Sequence, residues 1–292
     1  MMEMVEEVVI VGAGIGGLAT SLGLHRLGIR SLVLESSASL RATGFAFTTW
    51  ANAWRALDAL GIGDSLRQHH NQLLGMAATS SNTGLAMAEM SFKTEEANGG
   101  HEVRCMKRNM LLETLERELP HGTVRYSSKV VSVEDSGYFK LVHIADGSVI
   151  KTKVLIGCDG VNSAVAQWLG LKKPAFAGRS AIRGQTIYKG NHGFESKFYQ
   201  FFGDGVRSGF IPSDDDVVYW FLTFSPSSKG YKNTRYHERS IMKSLHEESP
   251  PLDYITPQVN AENSCGVFCV THMKTLREFA IPETIRIMHQ TE

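Results

Sequence analysis

The chain begins with a short apolar run, a segment with helical spacing and a second short apolar run. Val8–Val11 is apolar without a helical period, which is typical of a buried strand. Apolar side chains then recur at close to helical spacing over 15–27, and Gly28 follows as a helix stop. A second apolar run covers 31–34 and ends at Glu35. This order predicts a strand, a helix and a second strand.

Three glycines, Gly12, Gly14 and Gly17, form a G-x-G-x-x-G motif between the first predicted strand and the helix. The first glycine permits a sharp turn, the second lets a pyrophosphate approach the backbone, and the third lets the helix pack on the strand. Ile15 and Gly16 open the helix, whose N-terminal N–H groups and dipole would face the phosphates. The motif therefore predicts a dinucleotide site, and the alternative is a tight turn that binds no ligand.

Glu35 stands 18 residues after Gly17, where an acidic side chain can accept hydrogen bonds from a ribose. A carboxylate suits a free 2′-hydroxyl better than a 2′-phosphate, so it favours FAD or NAD over NADP. The motif alone leaves the choice between these two dinucleotides open.

The middle of the chain contains further segments with helix or strand patterns. The predicted helices cover 52–60, 109–119 and 163–169, and the strand-like segments are 73–79, 85–92, 102–106, 123–126, 129–133, 139–144, 148–152 and 154–156. Turn signals at 81–84 and at Asp146-Gly147 predict two hairpins. His69 and His70 lie in a polar stretch, which predicts that both are exposed to solvent.

The character of the chain changes after Lys172. Four segments alternate between apolar and polar residues, are rich in aromatic side chains and predict an antiparallel sheet: 179–188, 196–202, 206–212 and 217–225. A charged helix is predicted over 234–247. We therefore expect a first domain over 1–172, an antiparallel β lobe over 173–250 and a divergent tail over 251–292.

The composition limits the expected partners and location. Lys plus Arg and Asp plus Glu each number 30, so the zero net charge gives no electrostatic case for binding nucleic acid or an anionic membrane. The uncharged stretch 8–24 follows three glutamates and contains the glycine turn, which argues against a membrane span or a secretion signal. We expect a cytoplasmic protein without a membrane span.

The four cysteines do not form a recognised metal or redox pattern. Cys105 and Cys158 lie in segments predicted to be packed, and Cys265 and Cys269 do not match the C-x-x-C spacing. We therefore expect no metal site.

Three segments, in this order, resemble class A FAD-dependent monooxygenases, in particular the branch of zeaxanthin epoxidases and salicylate hydroxylases. They are the glycine motif with Glu35, the basic segment Val103–Leu111 (VRCMKRNML) and the segment Leu155–Val165 (LIGCDGVNSAV). The resemblance covers residues 5 to 250, approximately. It implies an α/β fold with a Rossmann-like FAD-binding domain and a second, antiparallel-sheet substrate lobe.

The resemblance also implies roles for particular residues. The glycine motif would hold the FAD pyrophosphate and Glu35 the adenosine ribose. Arg104 resembles the family arginine that reaches the flavin, and the backbone of Val130 matches a position beside the adenine. Asp159 and Gly160 match an Asp-Gly motif that the family uses near FAD and in handling reduced nicotinamide.

Arg183 resembles an arginine near the isoalloxazine of related hydroxylases, which makes it the candidate catalytic residue. Structural alternatives remain open for three of these assignments. Arg104 and Arg108 fit a solvated basic pair, Asp159-Gly160 fits a plain turn after a strand, and Arg183 fits a strand residue facing water.

The reaction implied by the resemblance uses FAD as bound cofactor and NAD(P)H as a transient electron donor. With O₂, such an enzyme hydroxylates or epoxidises a small aromatic or olefinic molecule, while the protein supplies binding, orientation and exclusion of water. Aromatic residues such as Phe210 and Tyr219 fit a flat apolar ligand, and they fit an ordinary core equally well.

Two departures from the family pattern modify this expectation. Ala166 stands where the Asp-Gly motif usually ends in arginine, and the third family motif, a Gly-Asp followed by a proline, has no match before Glu292. We therefore expect a C-terminally shortened member that binds FAD weakly or only partly and turns over slowly. The alternative is a non-catalytic nucleotide-binding protein that binds a protein partner. An NAD-dependent dehydrogenase fits the aromatic second lobe less well.

Overall fold

The computed structural model describes residues 5–42, 44, 46–93 and 102–225, together with the backbone of 258–259 and 285–286. The chain divides into two compact units. The first consists of Met1–Gly44, Asn52–His69 and Met106–Ala175, and the second of Phe45–Ala51, His70–Cys105 and Phe176–Glu292.

The described residues form five helices and sixteen strands. The helices are α1 (Ile15–Arg26), α2 (Ala51–Ala59), α3 (Gly63–Arg67), α4 (Arg108–Arg117) and α5 (Ala164–Trp168). The strands are β1 (Val5–Val11), β2 (Leu32–Leu34), β3 (Ala46–Thr49), β4 (Gly75–Ser80), β5 (Ala86–Ser91), β6 (Arg104–Lys107), β7 (Val124–Arg125), β8 (Val130–Ser136), β9 (Phe139–Ile144), β10 (Val149–Gly157), β11 (Ser180–Ile187), β12 (Lys197–Gly203), β13 (Val206–Pro212), β14 (Val217–Phe224), β15 (Gln258–Val259) and β16 (Ile285–Arg286).

The first unit is built on a six-stranded sheet with the order β7-β2-β1-β10-β9-β8. Its β7, β2, β1 and β10 are parallel, and β9 and β8 continue the sheet in antiparallel pairs. Val9 and Ile10 of β1 are both fully buried, which explains the unbroken apolar run in a strand covered on both faces. The predicted strand, helix and strand at the start of the chain are confirmed.

Helix α1 ends where the sequence predicts. The Gly28 N–H donates to the His25 carbonyl and the Ile29 N–H to the Leu24 carbonyl, each at 2.9 Å. Gly28 has a φ of 75°, a conformation that glycine adopts without a steric penalty. This C-terminal cap reverses the chain and directs it into β2.

Strand β10 joins two segments that the sequence pattern separates. Val149–Thr152 pairs with β9, and the longer stretch 151–157 pairs with β1 on the other side. Lys153 interrupts the apolar pattern, but its side chain is half-exposed and its Nζ lies 2.6 Å from a carboxylate oxygen of Glu7. A single solvent-facing lysine therefore accounts for the false break between the two predicted strands.

The second unit is built on a larger sheet with the order β15-β11-β14-β13-β12-β4-β5, and β16 also pairs with β11. The four aromatic strands β11 to β14 pair antiparallel as predicted. The β4–β5 hairpin lies within the first domain expected from the sequence, but it joins this sheet because β4 pairs parallel with β12. The expected boundary at residue 250 lies outside the described residues.

One face of this second sheet carries a buried aromatic cluster. On this face, Phe210, Val218 and Trp220 pack with partly buried side chains that include Tyr199 and Phe201. Gly184 lies under the Trp220 ring, and a Cβ at this position would overlap the ring atoms. The glycine therefore lets the indole pack directly on the backbone of β11.

One sequence prediction is wrong, and two others concern residues outside the described part of the chain. His69 is exposed as expected, but His70 is only 1% exposed, so its prediction as a solvent-facing residue is wrong. The polar neighbours in sequence did not reveal that the chain enters the second unit at this point. The predicted helix over 234–247 and the Cys265–Cys269 pair lie outside the described residues.

Replacing Gly184 by alanine is expected to lower the free energy of unfolding by about 1–3 kcal/mol, because Trp220 must move to admit the methyl group. Gly23→Ala is the matched control in α1, where the nearest atom is Leu60 Cδ2 at 3.6 Å. That change should instead stabilise the protein by about 0.5–1 kcal/mol. Urea denaturation followed by tryptophan fluorescence measures both, and equal stability of the two variants would contradict the packing argument.

Candidate nucleotide-binding site

Two glycines of the motif are required by packing around the end of β1. Gly12 has a φ of 100°, and its N–H donates to the Leu34 carbonyl at 2.7 Å. A Cβ at Gly12 would overlap the Cys158 carbonyl oxygen, and one at Gly17 would overlap the Gly12 carbonyl oxygen. These two positions therefore admit only glycine if β1, α1 and the end of β10 are to remain in contact.

The space around Gly14 and Gly16 is open. A Cβ at either residue would meet no heavy atom within 4 Å. Gly14 is the N-cap of α1, and no side chain caps this helix end with a hydrogen bond. The helix begins with Ile15, and its first turn contains no acidic residue. Helix N–H groups without a side-chain acceptor, next to open space, form a cradle that fits a phosphate group.

Glu35 lies at the end of β2, and its carboxylate ties this strand to the glycine turn. Oε2 accepts a hydrogen bond from the Ala13 N–H at 2.9 Å, and Oε1 accepts one from the Ser37 N–H at 2.9 Å. The Ser36 hydroxyl and the Arg41 guanidinium also approach Oε1, at 3.2 and 3.5 Å. Because the side chain is only 6% exposed, these contacts hold it in one orientation.

The environment of Glu35 favours its ionised form. Burial by itself raises the pKa of the carboxyl, but hydrogen bonds from the Ser37 and Ala13 amides outweigh that effect. The Arg41 charge and the Ser36 hydroxyl act in the same direction, so the pKa of Glu35 lies below its usual value. An ionised carboxylate is the form that accepts hydrogen bonds from ribose hydroxyls.

Asp159 and Gly160 follow β10 on the same edge of the sheet as the glycine turn. A Cβ built on Gly12 would lie 3.1 Å from the Asp159 Cα, so the two motifs are adjacent. The Asp159 carboxylate accepts hydrogen bonds from the Ser163 hydroxyl at 2.5 Å and the Ala164 N–H at 2.7 Å. The Asp159 carboxylate therefore holds the start of α5 in place. This is the role expected if Asp159-Gly160 is a structural turn after the strand.

Val130 begins β8 and lies in the core of the first unit, with 9% of its surface exposed. The preceding segment is attached to the end of β2, because the Ser128 N–H donates to the Glu35 carbonyl at 2.7 Å. The Ser127 N–H likewise donates to the Ser37 carbonyl at 2.8 Å. These bonds bring the backbone that leads to Val130 beside Glu35.

Arg104 and Arg183 belong to the second unit. The Arg104 Nε donates to a Glu102 carboxylate oxygen at 2.7 Å, and its Nη1 donates to the His70 carbonyl. Arg183 lies on β11 opposite Phe221 and is exposed. Arg104 is thus neutralised by a carboxylate inside its own unit.

Arg41 contacts Glu35, and Arg108 contacts Arg41. Both arginines lie in the first unit, and neither was assigned to the site from the sequence. The Arg108 Nη1 donates to the Arg41 carbonyl at 2.8 Å, and the Arg108 Cδ lies 3.0 Å from a Cβ built on Gly44. Burial, followed by the nearby Arg41 charge, lowers the pKa of Arg108. The sequence signal was present, since Arg41 lies in the loop after Glu35 and Arg108 begins α4.

A family model described as "FAD binding domain" matches residues 6–257, which is most of the chain. The chain belongs to this FAD-binding domain family. Residues 258–292 lie outside the matched region. The predicted dinucleotide fold and the resemblance to FAD-dependent monooxygenases are confirmed at the level of family and fold.

Two relatives of this chain are named as monooxygenases. It is 57% identical over 217 residues to Monooxygenase 2 of Arabidopsis thaliana and 46% identical over 219 residues to Monooxygenase 1 of the same plant. Each match covers 74% of this chain and 53% of the relative. The chain therefore spans about half the length of these curated relatives.

The fold is also that of a solved flavoprotein. HpxO of Klebsiella pneumoniae, in complex with FAD and uric acid, superposes with a TM-score of 0.68 at 23% identity. The match covers 83% of this chain and 61% of HpxO. Among the residues that the structure describes, no helix is long and apolar enough to cross a membrane.

The low pKa of Glu35 predicts a pH-dependent contribution to stability. A carboxyl whose pKa is lower in the folded state stabilises the protein above its unfolded pKa of about 4.3, and this contribution is lost as the pH falls through the folded value. The difference in unfolding free energy between the wild type and Glu35→Gln should therefore be larger at neutral pH than in acid.

Urea denaturation of FAD-free protein at a series of pH values measures this difference. Glu113→Gln, at an exposed position of α4, is the matched control and should show little change with pH. A wild-type to Glu35→Gln difference that stays constant from neutral to acid pH would show that the Glu35 charge does not stabilise the fold.

Proposed function

We propose that the first unit binds the adenosine diphosphate part of FAD at the end of β1. The observation that carries this proposal is the open cradle at Gly14 and Gly16, bounded by an uncapped α1 and by the fixed carboxylate of Glu35. Family membership supports FAD as the dinucleotide.

In this proposal the Ile15 and Gly16 N–H groups face the pyrophosphate, and the ionised Glu35 accepts hydrogen bonds from the adenosine ribose. The Ala13 N–H is already bonded to Glu35, so it is not available to the phosphates. Arg41 and Arg108 add positive charge in the same unit, which favours an anionic ligand. The backbone at Val130 lies beside the adenine.

For the other predicted contacts we propose narrower roles. Asp159 holds the start of α5 next to the glycine turn and thereby shapes the wall of the cradle. Because Arg104 is paired with Glu102, we infer that it positions its strand, and that Arg108 is the basic-segment arginine of the FAD site.

We propose further that the protein is a monooxygenase that uses NAD(P)H and O₂ on a small aromatic or olefinic molecule. One oxygen atom of O₂ enters the substrate, the other leaves as water, and NAD(P)H with a proton supplies the two electrons. Bound FAD supplies the redox chemistry, and the protein binds, orients and shields the reactants. The names of the Arabidopsis relatives and the uric acid complex of HpxO support this reading.

Gly14→Val tests the cradle directly. The residue has a φ of −74°, which valine can adopt, and a Cβ there meets no atom within 4 Å, so the FAD-free protein should keep its melting temperature. The isopropyl group would fill the phosphate space, so FAD affinity should fall by more than about 100-fold, because several charge-assisted hydrogen bonds are lost. Fluorescence titration with FAD measures this.

Two controls sharpen the result. Gly23→Ala, in the same helix but away from the turn, should leave FAD affinity unchanged. FMN, which lacks the adenosine part, should bind the wild type far more weakly than FAD. FAD binding that survives Gly14→Val, or FMN binding as tight as FAD binding, would exclude a site at this turn. A tightly held, stoichiometric FAD would refute the expectation of weak binding.

The catalytic proposal predicts that the FAD-loaded protein consumes NAD(P)H faster when an aromatic substrate is added. Absorbance of the reduced nicotinamide measures the rate, and mass spectrometry detects a product heavier by one oxygen atom. Glu35→Gln should lower the rate only in proportion to the FAD it fails to hold. Bound FAD without NAD(P)H oxidation under any of these conditions would favour the non-catalytic alternative.

A further inference from the structure

Ser127 has an unusual backbone conformation close to Glu35. Its φ is 52°, and among the residues that the structure describes it is the one non-glycine residue with a positive φ. This left-handed region is unfavourable for a residue with a side chain, so surrounding contacts must hold the backbone there. The Ser127 side chain is exposed, which leaves the backbone and the neighbouring residues to supply those contacts.

The backbone of Ser127 and Ser128 holds the turn that carries Glu35. The Ser127 N–H donates to the Ser37 carbonyl at 2.8 Å, and the Ser128 N–H donates to the Glu35 carbonyl at 2.7 Å. Two successive N–H groups thus bond to both ends of the turn 35–37. Within this turn, the Ser37 N–H donates to the Glu35 carboxylate at 2.9 Å. The position of the serine backbone therefore affects where the carboxylate lies.

Tyr126 anchors this segment on helix α4. Its hydroxyl donates a hydrogen bond to a carboxylate oxygen of Glu116, near the end of the helix. Burial, the hydrogen bond to Glu116, the Glu116 charge and then the Glu35 charge all raise the pKa of Tyr126, so its hydroxyl keeps the proton that it donates. The Ser128 hydroxyl donates to the Tyr126 carbonyl at 3.0 Å, and Ser128 is only 1% exposed. The segment is therefore fixed by side chains on both sides of Ser127.

The first residue of α4 also contacts the loop after Glu35. The Arg108 Nη1 donates to the Arg41 carbonyl at 2.8 Å, and the Arg41 guanidinium lies 3.5 Å from the Glu35 carboxylate. Helix α4 thus reaches Glu35 by two routes, one through Arg108 and one through Tyr126. The first route ends in a side chain that is 54% exposed, whereas the second ends in backbone hydrogen bonds. The Tyr126 route is therefore the more restrictive of the two.

The contact between Tyr126 and Glu116 also satisfies a partly buried carboxylate. In the described part of the chain, the Tyr126 hydroxyl is the one hydrogen-bond donor to the Glu116 side chain. Without this hydroxyl the carboxylate would lose its partner and would turn towards solvent. The segment that leads to Ser127 would then lose its attachment to the helix.

We propose that Tyr126 is a positioning residue for the adenosine ribose of FAD, and that Glu116 and the left-handed backbone at Ser127 act together with it. The inference rests on the proposed FAD site and deepens it, because it names contacts outside the glycine motif on which ribose recognition depends. Tyr126 acts through the backbone of 127–128 and the turn 35–37, which keep the Glu35 carboxylate in one orientation. A carboxylate that is fixed before the ligand arrives loses less conformational entropy on binding.

The test compares ADP with 2′-deoxy-ADP by isothermal titration of the FAD-free full chain. The two probes differ only in the ribose hydroxyl that suits an ionised Glu35, so the ratio of their dissociation constants measures ribose recognition separately from phosphate binding. The wild type should bind ADP about tenfold or more tightly than 2′-deoxy-ADP, because one hydrogen bond to a charged group is lost. Tyr126→Phe should reduce this preference to about threefold or less, mainly by weakening ADP binding.

Two sets of variants serve as controls. Tyr138→Phe removes the hydroxyl of a tyrosine that is 91% exposed between β8 and β9, and it should keep the wild-type preference. Glu116→Gln retains an oxygen that can accept the Tyr126 hydrogen bond and should keep most of the preference. Glu116→Leu has no acceptor and should lose the preference as Tyr126→Phe does.

Substitutions of Ser127 test the backbone conformation itself. Glycine adopts the left-handed region without a penalty, so Ser127→Gly should keep the preference for ADP. Valine is strongly disfavoured there because it is β-branched, so Ser127→Val should lower the preference. Melting temperatures establish that each variant is folded. If Ser127→Val or Tyr126→Phe fails to fold, the comparison of Glu116→Gln with Glu116→Leu decides the question.

A preference in Tyr126→Phe equal to that of the wild type, or the same reduction in Tyr138→Phe, would overturn the proposal. An equal loss of affinity for both nucleotides would also overturn it, because Tyr126 would then have a general structural role. Failure of the proposed FAD site is distinguishable, since the wild type itself would then bind neither ADP nor FAD. A wild type that binds ADP and 2′-deoxy-ADP equally would remove Glu35 from the ribose, and this inference with it.

Discussion

The hydrogen bond from the Ala13 N–H to the Glu35 carboxylate connects the end of β1 to the end of β2. A bond to a buried charge contributes about 1.5–3 kcal/mol, more than a typical neutral bond. It fixes the turn after β1, and it directs the Ala13 amide away from the open space beside Gly14 and Gly16. In the proposed FAD site, the donors that face the phosphates are therefore the N–H groups in the first turn of α1.

The packing of the glycine turn explains why its glycines serve two purposes. Gly12 and Gly17 allow three backbone segments to touch, at β1, α1 and the end of β10. Gly14 is not needed for packing, and its missing side chain keeps the cradle open. Stability and binding thus depend on different glycines of one motif, so the two properties can be separated by mutation.

Several features of the site could be read from the sequence because they depend on local order. The glycine motif, Glu35 and the Asp-Gly motif follow strands, and the carboxyl ends of parallel strands meet at one edge of a sheet. The basic segment contributes Arg104 to the second unit and Arg108 to the first. The two residues are close in sequence, but β6 ends between them, and the contacts of Arg104 with Glu102 and His70 lie in the second unit.

The sequence by itself determined the nucleotide turn, the strand and helix order around it, and the four aromatic strands, because each depends on periodicity or on glycine within a short window. Only the tertiary structure decided that the β4–β5 hairpin joins the second sheet and that His70 is buried. These features depend on which strands pair and in which register. Pairing between segments far apart in the chain is set by the packing of whole faces, which no local pattern records.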